Sequence, residues 1–268
     1  MGARVICLSI FYSFFALLTA AWAAPGAPGD LGLWERPDKT GFGTTVDTPV
    51  WFTLRAGAIT EVFFPFVDQP QMQSAHLQIL LNGQWLDERK DFQIQEERIP
   101  GTLVYEIRGE DLVGGTRMTK RVMVASRLPA LLIEYEIHFP PASGTKQVLW
   151  IHNPCASGTP GGDGIEVIRD LRGEPLLYAK QADVRGDEPA AYKPWVEQSV
   201  GWTLEPSAAT VGFEGDSAPE DQIASGRWPR WYLRAEPGNI AGALVYSTDL
   251  DFLKFRVLTV FSRSPPLK

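Results

Sequence analysis

Three histidines, one lone cysteine and two closely spaced tryptophans are the residues with the most chemistry to offer. His76, His138 and His152 can exchange protons, but general acid–base work needs imidazole and carboxylate within reach of one reacting atom. His138 stands two residues after Glu136, on the same side of an alternating run, which reads as a solvated pair. His76 opens an apolar run, and His152 closes another just before Asn153-Pro154. Cys155 lies beside a Gly/Ser-rich loop with only His152 near it in sequence, too little for an activated nucleophile. Asp163, in Gly161-Gly162-Asp163-Gly164, is one oxygen ligand where calcium takes six to eight. Cys and His at zinc spacing are absent, so neither a metal nor a cofactor is expected.

Trp228-Pro229-Arg230-Trp231 places two indoles in an irregular segment. Such rings offer flat apolar faces to the C–H side of a sugar, with polar groups at the rim. The same rings can cap the end of a sheet sandwich or pack on a neighbouring domain. Trp228 and Trp231 are nevertheless the carbohydrate-binding candidates. Trp51 and Phe63 sit inside strand patterns and read as core. Glu61, between Thr60 and Val62 in an otherwise apolar run, reads as part of a wet strand face, or as a contact to a partner domain.

These candidates need a frame of strands. In residues 131–139, Leu131, Ile133, Tyr135, Ile137 and Phe139 share one face, while Glu134, Glu136 and His138 share the other. Similar alternation marks 50–54, 59–64, 76–81, 103–107, 116–124, 148–152, 198–204, 240–246 and 255–261. Asn82-Gly83 between two apolar runs is a hairpin signal. No dozen-residue segment carries a helical period. Many short strands at near-regular spacing predict an all-β antiparallel sandwich or barrel. Residues 181–235, with five prolines at 189, 194, 206, 219 and 229, are the least regular stretch.

The first two dozen residues stand apart. Arg4 precedes an apolar run over 5–18, and Ala21-Trp22-Ala23 has the small-x-small form of a signal-peptidase site. The run is short for a membrane span, which needs about 20 residues. The reading is therefore a signal peptide over 1–23, with an uncleaved anchor as its rival. Its removal takes away Arg4 and moves the net charge from −7 to −8. An acidic chain without a basic cluster argues against nucleic-acid binding. Cleavage also removes Cys7 and leaves Cys155 as the one thiol, so the exported fold holds without an internal disulfide.

Several segments in order then carry a resemblance. They are Pro25-Gly26-Ala27-Pro28-Gly29, Gly41-Phe42-Gly43-Thr44, Val50-Trp51-Phe52-Thr53-Leu54 and Gly57-Ala58-Ile59-Thr60-Glu61-Val62-Phe63-Phe64-Pro65. This series resembles the opening of bacterial glucoamylases and glucodextranases of glycoside hydrolase family 15, with its proline/glycine lead-in, "GxGT" turn and two strands. Later segments fit as well, among them Val200-Gly201-Trp202 and Glu236-Pro237-Gly238-Asn239. The resemblance runs from residue 25 to about 262.

It implies an antiparallel super-sandwich akin to galactose mutarotase-like domains, spanning 24–268. In the family this domain leads into an (α/α)6 barrel whose two glutamates do the hydrolysis. The chain ends at Lys268, after the last predicted strand, so no catalytic residue is carried over. The expected function is a non-catalytic accessory domain of α-glucan metabolism, secreted or periplasmic. Its partner would be an α-glucan or a separate (α/α)6 catalytic chain, with no membrane association after signal cleavage. Two alternatives are a split glucoamylase piece active only with its barrel, and a mutarotase-like enzyme in its own right. Docking to a barrel would also leave an apolar patch on the isolated sandwich.

Overall fold

The computed structural model describes residues 38–141, 144–155, 163–181, 195–201, 205–227 and 229–261. The segment read as a signal peptide lies outside them. Among the described residues no helix is long and apolar enough to cross a membrane.

Among the described residues, seventeen strands, numbered along the chain, form two antiparallel sheets. The eight-stranded sheet has the order β1 (Gly41–Thr44), β2 (Trp51–Arg55), β3 (Ala58–Phe63), β4 (Pro70–Leu81), β10 (Lys146–Pro154), β16 (Ile240–Thr248) and β14 (Ala208–Phe213). β4 is long enough to take two partners on one side. Its first half pairs with β3, and its last residues pair with β5 (Gln84–Asp87). The nine-stranded sheet has the order β15 (Arg234–Gly238), β11 (Asp163–Arg169), β12 (Pro175–Gln181), β13 (Trp195–Gly201), β17 (Phe252–Phe261), β9 (Ala130–His138), β8 (Arg117–Val124), β7 (Tyr105–Asp111) and β6 (Phe92–Arg98).

Alternation decides which residues meet between the sheets. Leu77 and Ile79 of β4, Val148 and Trp150 of β10, and Leu244 and Tyr246 of β16 face Ile133 and Tyr135 of β9 and Phe255 and Val257 of β17. The Tyr135 and Phe255 rings stack at 5.0 Å, and Tyr246 lies 4.2 Å from Phe255 between ring centres. The expected dry face of 131–139 is therefore core, with each of its five residues at most 5% exposed.

The outer faces of the two sheets differ. On the nine-stranded sheet, Glu106, Arg121, Glu134 and Arg256 form a row across β7, β8, β9 and β17, and Lys254 pairs with Glu136 at 2.9 Å. This face is wet and neutralises itself. The eight-stranded sheet is apolar outside as well as inside: Leu149, Ile151, Ala243 and Val245 pack beneath Ile223. Ile223 belongs to α1 (Pro219–Ala224), a six-residue helix with Pro at its start and Glu220 and Asp221 in its first turn. Burial on both faces explains the unbroken apolar runs of β10 and β16.

Turn residues do what their types predict. Asn82 and Gly83 both have positive φ, 51° and 80°, which joins β4 to β5 by a tight primed turn. The "GxGT" segment is a strand rather than a turn. It needs its glycines because β1 lies directly on the core: a Cβ at Gly43 would stand 2.2 Å from the Phe52 ring and 2.9 Å from the Leu103 carbonyl. Gly43→Ala is accordingly expected to cost about 1–3 kcal/mol by overpacking, read as a lower urea midpoint with an unchanged slope. An unchanged midpoint would mean that β1 can lift off Phe52 freely.

Candidate functional site

The strand register keeps the histidines apart. His76 pairs with Ile151, and His152 with Ala75, so the two imidazoles occupy adjoining positions on opposite faces of one sheet. His152 is on the inner face, its ring 5.0 Å from Trp150 and at right angles to it. A side chain at Gly242 would come within 3.0 Å of His152 Nε2. His76 is on the outer face beside α1. His138, at the end of β9, is half exposed and 3.3 Å from Glu136, the solvated pair expected of it. The sheet itself separates His76 from His152, so they cannot serve one substrate atom together.

His76 joins a buried polar cluster instead. Its Nε2 lies 3.3 Å from Glu220 Oε2, and Arg89 Nη2 lies 3.2 Å from the same oxygen. Arg89 also clasps Asp87, with its Nη2 donating to Oδ2 at 2.8 Å and its Nε to Oδ1 at 3.0 Å. Across the strand, Asn153 Nδ2 donates to Glu214 Oε1 at 3.0 Å. The turn before α1 is pinned by Gly215 N–H donating to Asp221 Oδ2 at 2.7 Å.

The electrostatics separate the two glutamates. Burial, reinforced by the charges of Glu220 and Asp221, pushes Glu214 up to about 8. Burial opposes ionisation of Glu220 too, but His76 and Arg89 outweigh it and hold that carboxyl at about 2. Asp87 follows the same pattern: burial resists, Arg89 and His76 prevail, and it sits at about 2. One proton therefore stays on Glu214 beside an ionised Glu220 at neutral pH. The arrangement anchors α1 and the preceding turn on the outer face of β4 and β10.

Sequence reasoning missed Asp87, Arg89, Glu214 and Glu220. The available signals were Ser74, His76 and Gln78 alternating with apolar residues in 74–79, and the acid-rich run 214–221. Reading a polar strand face as wet hid the first.

Glu61 corrects the same assumption. It is 8% exposed, paired with the partly exposed Lys39 at 2.7 Å and hydrogen-bonded by the Thr53 hydroxyl, so it is a buried carboxylate in an ion pair and not part of a wet face. Trp231 is 46% exposed. Its segment is clamped to β14 by Thr210, whose hydroxyl donates to the Arg230 carbonyl at 2.8 Å and accepts from Tyr232 N–H at 3.0 Å. Trp228 lies outside the described residues. Trp51 and Phe63 are half-buried rather than core. Cys155 is fully buried, and its N–H donates to the Gln71 carbonyl at 2.8 Å. Asp163 is 1% exposed in β11, and the described residues contain no group of three or more His, Cys, Asp or Glu able to hold a metal ion.

Among the described residues, the two-sheet antiparallel architecture, with its wide sheets and one short helix, defines a β-sandwich of the kind found in glucoamylases. It superimposes with a TM-score of 0.76 on a bacterial glucoamylase solved in complex with acarbose, at 20% identity, over 90% of this chain and 35% of that one. Residues 24–260 match the family model described as glucodextranase, domain N, and the chain belongs to that family. A glucoamylase from Clostridium sp. (strain G0005) is 30% identical over 117 residues, which is 42% of this chain and 16% of that protein. The chain thus spans about a third of the solved glucoamylase and a smaller share of the Clostridium protein.

Proposed function

We propose that this sandwich is an exported, non-catalytic accessory domain of α-glucan metabolism that docks an (α/α)6 glucoamylase-type catalytic unit. The observation that carries the reading is the family match across 24–260 together with its place as about a third of a glucoamylase fold. The separation of His76 from His152 supports a non-catalytic role. Among the described residues, large exposed apolar side chains are scattered in turns, as at Val46, Phe66, Val67, Leu112 and Val113. Docking would therefore draw on several loops rather than one broad patch. Glu61 would enter an interface only as its pair with Lys39. Trp231, exposed on a clamped segment, is the residue of the proposed Trp228/Trp231 platform most ready to touch a glucan or a partner.

The test mixes the purified mature chain with a barrel-only fragment of a bacterial glucoamylase. A one-to-one complex by size-exclusion chromatography with light scattering, and a raised melting temperature for the barrel, are expected. Separate elution at micromolar concentrations would sink docking. Glucose release from maltose by the chain alone would overturn the non-catalytic reading. In the secreted fraction, mass spectrometry should find the mature chain beginning at Ala24.

A further inference from the structure

We infer that the seam between the two sheets carries a saccharide-binding cleft built around Trp51 and Arg98. β1 is the edge of the eight-stranded sheet, and β6 is the edge of the nine-stranded one. Glu96 of β6 ties them by accepting from the Thr40 hydroxyl and from Gly57 N–H, each at 2.8 Å. Tyr105 adds a second tie, its hydroxyl meeting the Phe42 N–H and carbonyl at 3.2 Å. Alongside this closed seam, between residues 44–51 and 98–103, lies an open cleft of about 550 Å³. That volume is in the range of ligand clefts, roughly 300–1,000 Å³.

The lining has the composition a neutral sugar requires. Trp51 alternates with the core residue Phe52, so its indole is on the side of β2 turned away from the core. It lines the cleft with Leu103 and Val46, an apolar wall for the C–H face of a pyranose ring. Thr44, Thr45 and Thr102 complete the lining, with the Thr44 hydroxyl donating to the Val50 carbonyl at 2.7 Å and the Thr102 hydroxyl to the Ile99 carbonyl at 2.8 Å. Two donor groups of this lining, the Trp51 indole N–H and the Arg98 guanidinium, have no hydrogen-bond or ion-pair partner among the described residues. An exposed arginine that forms no ion pair with a described carboxylate, next to a half-buried indole, is equipped to donate to adjacent ring hydroxyls.

Charge selects among ligands. The chain carries a formal −7, so an anionic ligand would approach against the overall field, and a single arginine offers little to offset that. An uncharged oligosaccharide meets no such barrier. That the sugar is a glucan rests on the accessory role proposed above; the cleft itself rests on Trp51 and Arg98.

Isothermal titration of the mature chain with maltoheptaose and with an isomalto-oligosaccharide of equal length tests the inference. Saturable binding of at least one is expected. Trp51→Ala should weaken it tenfold or more, Trp51→Phe should keep part of it, and Arg98→Ala should weaken it severalfold. Arg98 is exposed and unpaired, so its variant should melt with the parent and report on binding even if Trp51→Ala folds poorly. No heat with either sugar overturns the cleft, as does parental affinity in Arg98→Ala and Trp51→Phe together. Binding lost in Trp231→Ala but intact in Arg98→Ala moves the site elsewhere and also overturns it. None of these results bears on complex formation with a catalytic barrel, which is measured separately.

Discussion

Replacing Lys120 by methionine is expected to destabilise the sandwich by about 3–5 kcal/mol, because it leaves a carboxylate uncompensated in the core. Lys120 shares the inner face of β8 with Met118 and Val122, and it is fully buried. Its ammonium lies over the Tyr135 ring at 5.5 Å and is ion-paired with Glu88, itself 2% exposed. Glu88 is fixed by two backbone bonds to Leu77: its carboxylate accepts the Leu77 N–H at 2.8 Å, and its own N–H donates to the Leu77 carbonyl at 3.0 Å. The carboxylate therefore cannot swing to water when its cation goes. The double variant Lys120→Met/Glu88→Gln should recover most of the loss, since glutamine keeps an acceptor for Leu77 and carries no charge. Urea unfolding reads both variants. A single variant within 1 kcal/mol of the parent, or a double variant no better than the single, would contradict a desolvated pair.

The second large effect is a stability that falls as pH rises through neutrality. Glu214 titrates at about 8 in the folded chain against an ordinary 4.5. Between those values the folded state holds a proton that the unfolded state has lost, so raising the pH across this window favours unfolding. Glu220 and Asp87 have the opposite sign. Both sit at about 2, so their contribution is present above the ordinary carboxylate range and is lost as pH falls towards 2. The cluster that sets this balance also includes His76 on β4, Arg89 and Lys90 after β5, Asn153 on β10, and Asp221 on α1. Glu214→Gln should be increasingly more stable relative to the parent from pH 5 to pH 8, by a few kcal/mol at the upper end. Melting curves of the two proteins that stay parallel across that range would show that Glu214 ionises without penalty.

The fold was legible wherever one strand face was dry and the other wet. Leu131 to Phe139 is the clearest case, and its partner strands β8 and β17 follow from the same alternation. Among the strands that were not legible, β6 and β4 illustrate two opposite situations. β6 was missed because an edge strand such as Phe92-Gln93-Ile94-Gln95-Glu96 buries little, so its apolar positions are sparse. The first half of β4 was missed because Gln71, Gln73 and Ser74 look like loop residues, yet Gln71 and Gln73 are buried and Ser74 is half-buried. The same cause hid the site. A buried polar face and a wet polar face have one sequence pattern, and only the covering element tells them apart. α1, at six residues, is shorter than any window in which a helical period can be recognised.

The strand order also sets a timetable. β17 lies inside the nine-stranded sheet between β13 and β9, with Leu258 opposite Leu132, a neighbour more than a hundred residues earlier. β6, β7, β8 and β9 form a meander of local hairpins that can assemble as soon as they are made. Until residues 252–261 arrive, β9 ends that meander as an open edge, its backbone groups unpaired and its apolar face uncovered. That open edge is where a partly made chain is most exposed to pairing with a second copy of itself.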